Sequence, residues 1–147
     1  MKKLGILIIV VSIIAACNGT DNKGGASGMT QEQKDKVLKD TSNFTSIQWL
    51  DSTYSDLGKV KEGQVVEVAF RFKNTGTKNL VITDVTAGCG CTIPEKPTEP
   101  YTPGQEGVIR AKFNSENRVG LNNKEIYVTA NTSPNPQMLT FRVEVTN

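Results

Sequence analysis

QVVEVAFRF, residues 64–72, sets Val66, Val68, Phe70 and Phe72 on one side of an extended chain and Glu67 and Arg71 on the other. Successive side chains of a strand face opposite ways, so this period of two predicts a strand with one face in a core and one in water. The pattern returns in GVIRAKF, where Ile109, Ala111 and Phe113 alternate with Arg110 and Lys112. It returns again in KEIYVTA (Ile126, Val128, Ala130 against Glu125, Thr129) and in MLTFRVEV (Leu139, Phe141, Val143, Val145 against Thr140, Arg142, Glu144). Ile47 with Trp49 predicts an opening strand, and Leu80, Val81, Ile82 and Val85 another. Turn chemistry separates these runs at Lys61-Glu62-Gly63, Asn74-Thr75-Gly76, Pro103-Gly104 and Ser133-Pro134-Asn135-Pro136. About seven short strands without a helical pattern among them predict an all-β, immunoglobulin-like antiparallel β-sandwich over residues 46–147. PEKPTEPYTPG, residues 94–104, holds four of the six prolines. Proline has no amide proton and a fixed backbone angle, so a stiff extended connection is expected there.

The chain opens MKKLGILIIVVSIIAAC: two lysines, an apolar run from Leu4 to Ala16, small residues, then Cys17. This is the pattern of a signal peptide over residues 1–16. The run is too short for a good permanent span, which needs about 20 apolar residues. Ile14-Ala15-Ala16-Cys17 looks like a bacterial lipobox, so Cys17 is expected to carry a covalent diacylglycerol and an N-acyl chain. Burial at about 0.8 kcal/mol per methylene makes two or three such chains a stable membrane anchor. Residues 17–45 then form a lipidated tether, Gly-rich in NGTDNKGGASG, with a possible short helix where Thr30 and Gln33 fit a capping box. Asn18-Gly19-Thr20-Asp21 lacks both the immediate aspartate of inner-membrane retention and the acidic run linked to surface export. The expected location is the cell envelope, at the outer membrane and facing the periplasm.

Cleavage would also change the charge. Of 17 Lys and Arg, Lys2 and Lys3 leave with the peptide, so 15 basic residues face 15 acidic ones. No basic block remains to neutralise successive phosphates, which argues against a nucleic-acid partner.

FKNTG at 72–76, Leu80-Val81-Ile82, Cys89-Gly90-Cys91-Thr92 with Pro94, and then Pro103-Gly104, Gly107 and Phe113 resemble a known pattern. It is that of the bacterial domain-of-unknown-function family numbered fifteen seventy-three, an immunoglobulin-like family common in lipoproteins of Bacteroides relatives. The resemblance covers roughly residues 46–146 and implies the sandwich and the envelope location; it implies no activity. Gly88 stands where the family often has serine.

With Cys17 spent on lipid, Cys89 and Cys91 are the remaining thiols, in a compartment that permits disulfides. On a flat strand, residues i and i+2 lie about 6.5 Å apart at Cα, near the upper end of what a disulfide spans. Gly90 could bend the segment and relieve this. Three readings follow: inert packed thiols, an exchangeable thiol pair, or a soft-metal site such as Cu(I). A closed tetrahedral zinc site needs four ligands, more than this chain offers.

The chain has no histidine, which excludes Ser-His-Asp and Cys-His catalysis and histidine metal ligation. Trp49 is expected in the core and Tyr101 as a loop anchor. Asp51-Ser52-Thr53 resembles the short O-glycosylation acceptor of Bacteroides relatives, making Ser52 and Thr53 candidate glycosylation sites. The reading is therefore a non-catalytic, cofactor-free, lipid-anchored module that binds another envelope protein. The alternative is a thiol-redox or copper-handling protein acting through Cys89 and Cys91.

Overall fold

The computed structural model describes residues 28–147. The expected signal peptide, Cys17 and the tether as far as residue 27 lie outside these residues. Eight strands form two four-stranded sheets. They are β1 (Ile47–Trp49), β2 (Tyr54–Lys61), β3 (Val65–Asn74), β4 (Ile82–Ala87), β5 (Thr92–Pro94), β6 (Glu106–Asn114), β7 (Gly120–Ala130) and β8 (Gln137–Thr146). One sheet has the order β1-β3-β6-β5 and the other β2-β8-β7-β4.

The alternating residues meet between the sheets. Phe72, Ile109, Ala111, Phe113, Ile126, Val128, Ala130, Leu139, Phe141 and Val143 are fully buried, while Val66 packs at the margin. Each fully buried large apolar side chain contributes about 1.5–3 kcal/mol relative to exposure. Phe113 and Phe141 meet edge to face across the gap, their rings 5.9 Å apart. Trp49 and Tyr101 both pack edge-on against Phe72. Gly107 makes room for this group, because a Cβ there would lie 2.5 Å from Phe72 Cζ.

The architecture departs from expectation in two ways. There are eight strands, since β2 and β5 were not foreseen, and β2 runs parallel to β8 in an otherwise antiparallel sandwich. β2 escapes the pattern because its register slips between Asp56 and Lys59, around Gly58 at φ 69°. Its inward residues, Leu57 and Val60, are therefore three apart instead of two.

A helix, α1 (Gln31–Lys39), starts at the Thr30–Gln33 capping box and is docked on the sandwich. Lys34 Nζ donates to the Pro97 carbonyl at 3.1 Å. Two fully buried asparagines hold the chain between α1 and β1. Asn131 donates to the carbonyls of Asn43 and Asn79 and accepts from the Val81 amide at 2.7 Å. Asn74 donates to the carbonyls of Lys78 and Tyr101 and accepts from Thr45 Oγ1 and the Gly76 amide. Both side chains use their donor and acceptor ends, as burial requires.

Candidate functional site

β4 and β5 are the edge strands of the two sheets on the same side of the sandwich, and Gly88–Cys91 crosses between them. Cys89 and Cys91 lie in this bend, outside any strand, and are joined by a disulfide with Cα atoms 5.3 Å apart. The bend removes the wide span that a flat strand would impose, and both flanking glycines, Gly88 and Gly90, are exposed. Cys91 is 4% exposed and belongs to the core, whereas Cys89 is half-buried. Thr92 Oγ1 lies 3.7 Å from Cys89 Sγ and 3.9 Å from Cys91 Sγ.

The bond is a poor staple. In the chain-entropy account, a cross-link between residues two apart restrains the unfolded chain by only about 1–2 kcal/mol, against nearly 5 for a hundred-residue loop. A bonded pair offers no thiolate, so soft-metal ligation would require the reduced chain. Among the described residues no group of three or more His, Cys, Asp or Glu is placed to hold a metal.

A cavity of about 220 Å³ adjoins the disulfide, lined by Gly88, Cys89, Asn123, Lys124, Glu125 and Thr140. Lys124 turns inward, its Nζ 5.9 Å from the centre of the Phe113 ring. Tyr127 donates its hydroxyl to the Glu125 carboxylate, and this bond, followed by the carboxylate's charge, raises the phenol above its ordinary value. The cavity exists because β7 outlasts its neighbour. β4 pairs with β7 from Ile82 to Ala87, the Gly88 amide reaches the Glu125 carbonyl, and the chain then leaves the sheet. Gly120–Lys124 therefore pairs with β8 alone. Backbone groups alternate sides along a strand. Since Glu125 faces β4, Asn123 and Leu121 turn their N–H and C=O groups to the vacant side. Leu121 and the preceding Val119 are 61% and 55% exposed.

The remaining candidates lie elsewhere. Ser52 and Thr53 are exposed in the connection from β1 to β2, with Ser52 Oγ accepting from the Tyr54 amide at 3.1 Å. The neighbouring Asp51 binds Arg71 through both oxygens, and the arginine's hydrogen bonds hold its carboxyl below the usual carboxylate range. Asp56 is paired instead with Arg142. The structure does not bring these acids to the disulfide. The vacant β7 edge and Lys124 escaped the sequence reading. Their signal is a mismatch between an eleven-residue strand and a six-residue partner, visible only once the two are known to pair.

Solved structures support the sandwich. A protein of unknown function from Porphyromonas gingivalis W83 superposes with a TM-score of 0.60 at 16% identity, over 71% of this chain and 49% of that one. This chain thus spans about half of that relative's length. The seventh PapD-like domain of human CEP192 superposes with a TM-score of 0.59 at 7% identity, over 71% of this chain and 88% of that domain. The Vibrio cholerae VesB protease matches with a TM-score of 0.50 at 13% identity, over 77% of this chain and only 34% of the protease. At such identities the likeness is one of fold. No curated protein matches by sequence. Residues 47–145 match the family described as protein of unknown function DUF1573, and the chain belongs to that family.

Proposed function

We propose that this chain is a lipid-anchored, non-catalytic module of the cell envelope that binds another protein through an exposed strand edge. The observation that supports this best is the side of β7 left vacant among the described residues, where Leu121 and Asn123 offer unpaired backbone groups beside exposed Val119 and Leu121. Such an edge is a template for an added strand, with the main chain supplying affinity and alternate side chains supplying selectivity. The anchor is Cys17, and the location is the outer membrane facing the periplasm, with the membrane and an envelope protein as partners. Ser52 and Thr53 are the positions at which a glycan would be carried. A photocrosslinking residue in place of Leu121, in intact cells, should trap a discrete partner, whereas the same residue in place of Lys78 should not. Equal labelling at the two positions would remove the edge from the mechanism, and labelled fatty acid that failed to enter the protein would remove the anchor.

A second reading, thiol–disulfide exchange through Cys89 and Cys91, is favoured by the bonded pair in an exposed bend and by the small contribution of so short a loop to stability. Replacement of both cysteines by serine should then abolish thiol-dependent reactions of the purified protein. An unchanged redox response in that variant would end this reading. The soft-metal alternative predicts copper uptake only after reduction of the pair, measurable by intact mass.

A further inference from the structure

We propose that the disulfide and the vacant β7 edge are one site: it accepts an extended, thiol-bearing segment of another protein and oxidises it at Cys89. This rests on the exchange reading and adds the substrate class and the order of the sulfurs.

The two sulfurs are unequal. Cys91 is sealed in the core, whereas Cys89 lines the open cavity with Lys124. An incoming thiolate therefore bonds to Cys89 Sγ, the Cys89–Cys91 bond breaks, and its electron pair leaves on Cys91 Sγ. The Thr92 hydroxyl, near both sulfurs, can donate to the departing thiolate, which then takes a proton from solvent. A second thiol of the substrate displaces Cys89 from the mixed disulfide. The substrate ends as a disulfide and the protein as a dithiol, two electrons having passed to a bond the protein already holds. Lys124 places a cation in the cavity through which the anionic nucleophile arrives.

The edge selects the substrate. β4 occupies the outer side of β7 as far as Glu125 and departs at Gly88, immediately before Cys89. A strand added along Leu121 and Asn123 continues the line that β4 vacates and meets Cys89 end-on. Adjacent positions on such a strand lie about 3.3 Å apart. A cysteine at its near end thus needs only a short reach to the sulfur, and a compact thiol gains nothing from the ladder.

The test uses the full lipoprotein in detergent, with two probes: glutathione, and the extended peptide Cys-Val-Thr-Val-Thr with blocked termini, which carries its thiol at the end that meets Cys89. Reduction is followed by acid quench and intact mass. The peptide should react at least tenfold faster than glutathione. Asn123→Pro removes an edge-facing N–H that pairs with nothing among the described residues, so the fold should persist. It should erase the peptide's advantage, bringing the peptide's rate down to that of glutathione in the same variant. Lys124→Gln should slow glutathione several-fold. In separate single-serine variants, the Cys89 thiol should be alkylated at least tenfold faster than the Cys91 thiol. If glutathione reduces the protein readily but the peptide has no advantage, the edge assignment is wrong and exchange survives. If neither thiol reduces the disulfide in native protein although both do so in urea, exchange itself is wrong and this proposal falls with it.

Discussion

Asn131 is polar, fully buried and three times hydrogen-bonded, and its value lies in what its loss would expose. Asn131→Leu strands the Val81 amide and the carbonyls of Asn43 and Asn79, at about 1–3 kcal/mol for each buried group left without a partner. A loss of at least about 2 kcal/mol in urea unfolding is expected, with faster hydrogen exchange at Val81; an unchanged midpoint would show that water takes over these bonds. Asp51 offers a milder, solvent-screened case. Its carboxyl is depressed by hydrogen bonds from Arg71, so it stabilises the fold above the unfolded carboxylate value, about pH 4, and that contribution fades as pH falls through the lower folded value. The urea midpoint of Asp51→Asn should therefore fall less steeply with acid than that of the parent. Asp56, held down chiefly by the Gly58 amide, adds a similar slope that this variant keeps.

At the scale of elements, the long strands were legible because each carries its own burial record. Val68, Phe70 and Phe72 announce β3, and Leu139 to Val145 announce β8, without reference to any neighbour. β5 has three residues and an exposed Ile93, too little for a period, and the bulge in β2 breaks its count. The cysteine pair shows the same boundary between local and remote information. Spacing alone left its state open, because whether Cys89 and Cys91 sit in a strand or a bend depends on where β4 ends against β7. α1 was legible from its cap but not from its docking, which rests on Lys34 reaching Pro97 sixty-three positions away. Thr30→Ala removes the cap and should cost about 0.5–2 kcal/mol locally. Amide exchange in residues 31–39 should accelerate while the sandwich keeps its protection. Global loss of protection would mean that α1 and the sandwich unfold together.

For the whole molecule, stability comes from the two apolar faces and very little from the covalent link. Cys89→Ser, which breaks the bond at its half-buried end and keeps the buried Cys91 side chain, should leave the sandwich folded, with a loss of no more than about 2 kcal/mol in urea. A variant that fails to fold would make the bond a structural necessity. Phe141→Ala, in contrast, opens a cavity at the centre and should cost about 3–5 kcal/mol. The two asparagines add a mechanical consequence. Asn74 ends a strand of one sheet and Asn131 follows a strand of the other, and they hold the Thr45 hydroxyl and the Asn43 carbonyl, respectively, just ahead of the first strand. Tension applied upstream of Phe44 is thus divided between both layers before it can peel the three-residue β1 from its neighbour, much as a rope made fast to two cleats spares the plank between them.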